Sequence, residues 1–152
     1  FMQLGNLLAV PVALVVALLF KKWRLSIGIA LIGLCKLYAT GVVKDLVVRH
    51  RPAAVLGQVH ARDDTGLGQA FVSGHVVVVV ALATLAHPYV SPRLRILFWS
   101  LAGIVAFGRV YVGAHLPLDV VGGAALGCAM ACAIHVVLGP PKPEDAAVTS
   151  SE

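Results

Sequence analysis

Five apolar runs take up most of this 152-residue chain: residues 2–20, 25–43, 73–87, 94–112 and 118–138. Each is near the roughly 20 residues that a helix needs to cross the hydrocarbon core. A bilayer leaves such runs little choice of structure. No water is there to satisfy backbone N–H and C=O groups, so only helices or closed barrels span it. The third run tests this rule most sharply. It is short, and residues 76–80 are all valine, a β-branched stretch that in water would read as a strand. In lipid it is predicted to be helix. The expected fold class is therefore all-α, a multi-span transmembrane helix bundle of about five helices.

Composition supports one membrane-embedded domain. The chain is 59% hydrophobic and only 12% charged, about half the charged share of a soluble protein. The net charge of +5 does not imply a nucleic-acid partner, because the basic residues are scattered among apolar runs with no contiguous basic face. Lys21, Lys22 and Arg24 join the first two runs, and Arg93 and Arg95 join the third and fourth. The positive-inside rule puts both turns in the cytoplasm. The membrane domain then covers residues 1–139. Residues 140–152, with Pro140, Pro141 and Pro143 and a Ser-Ser-Glu ending, form a disordered cytoplasmic tail. Residues 44–68 and 113–117 face outside, and their basic side chains run against the orientation rule. Binding an anion is a sufficient reason for them to be there.

Three clusters of ionisable residues sit at the mouths of the runs. Lys44 and Arg51, followed by Pro52, stand where the second run ends. A point charge and a planar fork both suit phosphate oxygens, although two basic residues snorkelling to headgroups would look the same. Ser73-Gly74-His75 opens the third run. The serine suits an N-cap, the glycine lets an anion approach the backbone, and the helix dipole favours negative charge there. Alone, this reads more readily as a cap followed by an interfacial histidine. Arg109, His115 and Asp119 bracket Pro117, which fits the first turn of the last helix. A carboxylate on one nitrogen of His115 would fix its tautomer and leave the other free to attack. An interfacial hydrogen-bonded pair is the plainer alternative.

Taken together, Lys-x6-Arg-Pro, Ser-Gly-His and Arg-x5-His-x3-Asp, in this order from Lys44 to Asp119, resemble the type 2 phosphatidic acid phosphatase superfamily. The resemblance implies a membrane-bound lipid phosphatase acting on a phosphomonoester or diphosphate. Its substrates would be polyprenyl diphosphate or phosphate, phosphatidic acid or phosphatidylglycerol phosphate. It implies that Lys44, Arg51, Ser73, Gly74 and Arg109 bind phosphate and that His115 forms a phosphohistidine. Asp119 would hold the His115 ring, and His75 would protonate the leaving group. It implies no cofactor and no metal. The implied setting is the bacterial plasma membrane, with the bilayer as partner and the active site on the extracytoplasmic face. Two positions depart from the pattern. Val72 stands where the family usually has proline, and Gly108 where it has a serine whose hydroxyl, if charge-assisted, contributes about 1–3 kcal/mol. The membrane-bound members commonly have six helices. A sixth helix, or a fused domain, is therefore expected before Phe1, where the chain opens inside an apolar stretch. The alternative function is a non-catalytic phospholipid-binding or scaffolding domain of a larger membrane protein. An intact His75, His115 and Asp119 argue against it.

Other residues are read more simply. His50, His60, Asp63 and Asp64 belong to a solvated loop. Arg49 joins the phosphate site or pairs with Asp45. Cys35, Cys128 and Cys132 read as buried thiols, and His87 and His135 as interfacial. Gly123 and Gly127 form a small-xxx-small packing pair.

Overall fold

In the computed structural model the described residues are 9–47 and 70–139. Among them the chain forms five α-helices and no strand: α1 (Ala9–Leu19), α2 (Trp23–Leu46), α3 (Gly74–Ala86), α4 (Pro92–Tyr111) and α5 (Pro117–Leu138). A short 3₁₀ turn, His87–Tyr89, follows α3. The described part of each predicted run becomes helix, the valine stretch included. α2, α4 and α5 are long and apolar enough to cross a membrane, whereas α1 and α3 are shorter. The predicted tail 140–152, Arg49, Arg51 and the loop histidines and aspartates lie outside the described residues.

α3 is the central helix. Val76, Val77, Val78, Val80, Ala81, Ala83 and Leu85 are all buried because α2, α4 and α5 surround it. Such a helix is apolar all round, which explains why no alternation shows in its sequence. The β-branched residues that would suit a strand here fill a crowded interior as stiff, single-rotamer knobs.

Its closest neighbour is α5, and two glycines allow the approach. A Cβ on Gly123 would stand 2.8 Å from the Ser73 carbonyl oxygen, and one on Gly127 would stand 2.5 Å from that of Val77. Backbone cannot yield as a flexible side chain does. Gly127→Ala is therefore expected to cost about 1–3 kcal/mol through overpacking, read as a lower Tm of the protein in detergent. Gly103 of α4 is the control, since an added Cβ there meets nothing within 4 Å. Equal Tm values for the two variants would remove the glycine contact from the account of α3–α5 packing.

The outward surface is as apolar as the interior. Leu34, Leu37, Ile96, Phe107, Val121 and Val136 are exposed, as lipid-facing residues are. This corrects the reading of the cysteines. Cys35 and Cys132 are exposed and only Cys128 is partly covered, because a residue in a membrane span need not face the core to leave water.

The two ends of the bundle differ in chemistry. At one end Lys22 Nζ donates to the Tyr89 carbonyl at 3.1 Å, Arg24 donates to that of Leu138, and Arg95 Nε donates to that of Val90 at 3.1 Å. The basic turns between α1 and α2 and between α3 and α4 thus share one end with the close of α5. His135 stacks on Tyr89 there, with ring centroids 6.5 Å apart. The head of α3 and the start of α5 lie at the other end. Gly28 of α2 packs against Leu85, and Lys36 packs against Gly74. The two helices are antiparallel, and α2 runs on for about two turns past the head of α3.

Candidate active site

The site is built where α3 begins, α4 ends and α5 begins. Ser73 precedes α3 in extended conformation, and its carbonyl accepts the first helical hydrogen bond from Val77 N–H at 3.0 Å. Its own N–H donates to the Asp119 carbonyl at 3.0 Å, tying the head of α3 to the first turn of α5. Phe71 and Val72 lie against Gly122 of α5, and Val72 is fully buried. An apolar side chain at this departure from the family pattern is thus part of the packing that holds Ser73.

Between α4 and α5 the chain folds tightly. The N–H groups of Ala114 and His115 both donate to the Arg109 carbonyl at 3.2 Å, and Gly113 N–H donates to that of Val110 at 3.0 Å. Gly113 takes a φ of 72°, a left-handed conformation that suits glycine. The reversal returns His115 to the level of Arg109, and Pro117 then starts α5 from a position that needs no N–H partner.

Burial singles out these side chains. Arg109 and His115 are each 4% exposed and Asp119 is 0% exposed. Charged side chains are almost never so enclosed unless partnered. Asp119 Oδ2 accepts the Leu116 N–H at 2.8 Å and lies 3.8 Å from His115 Nδ1. The first contact is a helix cap, and the second is too long for a hydrogen bond. The carboxylate therefore caps α5 while standing next to the imidazole. Catalytic contacts of this kind often tighten only when substrate binds. Ser73 is also fully buried, and its Oγ makes no hydrogen bond among the described residues.

Of the residues expected from sequence, Ser73, Arg109, His115 and Asp119 are buried at this end, with Gly74 and His75 opening α3 beside them. His75 is half-buried, and so is Lys44 in the last turn of α2. Arg51 lies outside the described residues. A Cβ on Gly108 would meet nothing within 4 Å, so the missing serine leaves open space. Among the described residues no group of three His, Cys, Asp or Glu gathers in metal-ligand fashion. One residue escaped the motif reading. Lys36 of α2 reaches the head of α3, its Cε 3.7 Å from where a Gly74 Cβ would be.

A helical bundle with apolar outer walls and a buried Arg-His-Asp end, opposite its basic turns, belongs to the multi-span helical class of membrane proteins. The family model of the PAP2 superfamily matches residues 21–141, and the chain belongs to that superfamily. It is similar to the undecaprenyl-diphosphatase of Sulfolobus acidocaldarius, at 31% identity over 113 residues. That alignment covers 72% of this chain and 54% of the relative, so the chain spans about half of that protein's length. No solved structure matches the chain.

Proposed function

We propose that the protein is a membrane lipid phosphatase. It hydrolyses a phosphomonoester or diphosphate of a lipid through a phosphohistidine, without a metal, at the extracytoplasmic face. The observation that carries the reading is the enclosure of Arg109, His115 and Asp119 beside a Ser73 held by the Asp119 backbone. A scaffold that only bound headgroups would have no need to bury a nucleophile next to a carboxylate.

In this reading Lys44, Arg51 and Arg109 neutralise the phosphoryl oxygens, and Ser73 Oγ and the Gly74 N–H donate to them. Asp119 favours a proton on His115 Nδ1, which leaves the Nε2 lone pair to attack phosphorus. A P–N bond forms as the P–O bond to the leaving group breaks. The electron pair goes to the leaving oxygen, which His75 protonates when that oxygen would otherwise leave as an alkoxide. Water then attacks the phosphohistidine, restoring His115 and releasing inorganic phosphate. The basic turns at the opposite end support a site on the outer face, by the positive-inside rule. Lipid reaches it from the bilayer and phosphate leaves to water.

The candidate substrates are polyprenyl diphosphate or phosphate, phosphatidic acid and phosphatidylglycerol phosphate. The relative's name gives the diphosphate some preference. The test is phosphate release from this panel by purified protein in detergent with excess EDTA. EDTA-resistant release is expected. Folded protein that released phosphate from no member, yet bound the lipids, would instead be a phospholipid-binding domain.

A further inference from the structure

We propose that Lys36 is a further substrate-binding cation, placed to hold the lipid-side phosphate of a diphosphate headgroup. The proposal rests on the phosphatase reading and adds a residue outside its three motifs.

Lys36 lies within a membrane-spanning helix but on its packed side. Ile32, Lys36, Thr40 and Lys44 follow one another at four-residue intervals, which places them along one face of α2. Ile32 and Thr40 are buried on that face, and Lys36 and Lys44 are half-buried. The Lys36 stem lies against Gly74. The side chain therefore reaches the first turn of α3 from the membrane side, next to where the attacked phosphate would be held. Lys44 stands about two turns further along the same face. A lysine inside a span is expensive and is ordinarily kept for function. An anion at the head of α3 would offset the cost of Lys36. Ser73 Oγ, buried and without a hydrogen bond among the described residues, is the polar side chain next to Gly74 at this end.

Depth decides which phosphate Lys36 serves. It enters α2 eight residues before Lys44, about 12 Å closer to the middle of the membrane along the helix axis. A lipid diphosphate presents its terminal phosphate to the histidine and keeps its other phosphate on the tail side. When His115 attacks the terminal phosphorus, the bridging P–O bond breaks and its electron pair stays on the bridging oxygen. That oxygen becomes part of the departing lipid monophosphate, whose added negative charge Lys36 would neutralise. A monoester has no second phosphate to meet Lys36, and its leaving alkoxide needs a proton from His75 instead.

The test pairs farnesyl diphosphate with farnesyl phosphate, using the full chain in detergent. Lys36→Met is expected to lower kcat/KM on the diphosphate by about tenfold or more, the loss of one charge-assisted contact, with the monophosphate changed less than about threefold. Lys36→Arg should restore most of the diphosphate preference. Parallel losses on both substrates in a variant that elutes as folded protein, or no loss on either, would overturn the proposal. If Lys36→Met does not fold, Lys36→Gln is judged by the same ratio. Should the wild-type protein turn over neither substrate nor any lipid of the panel above, the phosphatase reading fails by itself, and binding judges Lys36. Pyrophosphate should then raise the Tm of the wild-type protein more than orthophosphate does. Loss of that difference in the variant supports the assignment, and its persistence overturns it.

Discussion

His115→Ala is expected to abolish phosphate release, lowering kcat by at least about a thousandfold, the usual consequence of deleting a nucleophile. No neighbouring group can take its place. His75 opens a different helix, where its proposed work is to give a proton away, and Asp119 is engaged with the Leu116 N–H. The fold should survive the change. Residue 115 is held in its turn by its own N–H, which donates to the Arg109 carbonyl, and alanine keeps that bond. Removing a side chain that is 4% exposed leaves a void, with a Tm loss corresponding to about 1–3 kcal/mol. Activity and stability therefore separate: nearly all of the first is lost and only part of the second. A chemical readout sharpens the test. Protein quenched in mid-reaction with a radiolabelled lipid phosphate should carry acid-labile, base-stable label, and His115→Ala should carry none. Label retained in the variant would move the nucleophile elsewhere, with His75 the first residue to examine.

The bundle is legible in the sequence because lipid removes the ambiguity that water allows. The valine run at 76–80 becomes helix even though its residues prefer strands, since backbone satisfaction outweighs propensity in a bilayer. Gly123 and Gly127 also read correctly, because small residues at four-residue spacing have few uses other than close approach. Three things are not legible. Cys35 and Cys132 face outward, where reasoning from soluble cores puts thiols inside. The lipid-facing surface is as good a place for an apolar group as the interior. Lys36 escapes because its role depends on which face of α2 meets α3, and an all-apolar helix has no polar stripe to show its orientation. Only the register with Gly74 reveals it. The double duty of Asp119 is hidden for a finer reason. Its spacing from His115 predicts a pair, but the 2.8 Å contact goes to the Leu116 N–H and the imidazole stands 3.8 Å away. Pro117 starts the helix, so the carboxylate two residues later is also the natural acceptor for the N-terminal donors.

That double duty makes Asp119→Asn the more discriminating variant. The amide oxygen can still accept the Leu116 N–H, so the cap persists. The lost charge at the start of α5 costs about 0.3–1 kcal/mol through the helix dipole. Catalysis should suffer far more. The oxygen that keeps the cap is also the atom that faces His115 Nδ1, so the amide preserves the geometry and removes the negative charge that steadies the ring as it becomes positive. The expected loss in kcat is roughly 10²–10³-fold, with Tm barely changed. Asp119→Ala should lose a similar share of activity and also the cap, a further 0.5–2 kcal/mol or so, read as a clearly lower Tm. The pair of variants thus separates the carboxylate's work on the ring from its work on the helix. If Asp119→Asn turned over substrate at the wild-type rate, the 3.8 Å separation would be the resting and the working distance alike. Asp119 would then be a helix cap that happens to lie near a histidine, and His115 would owe its tautomer to another partner.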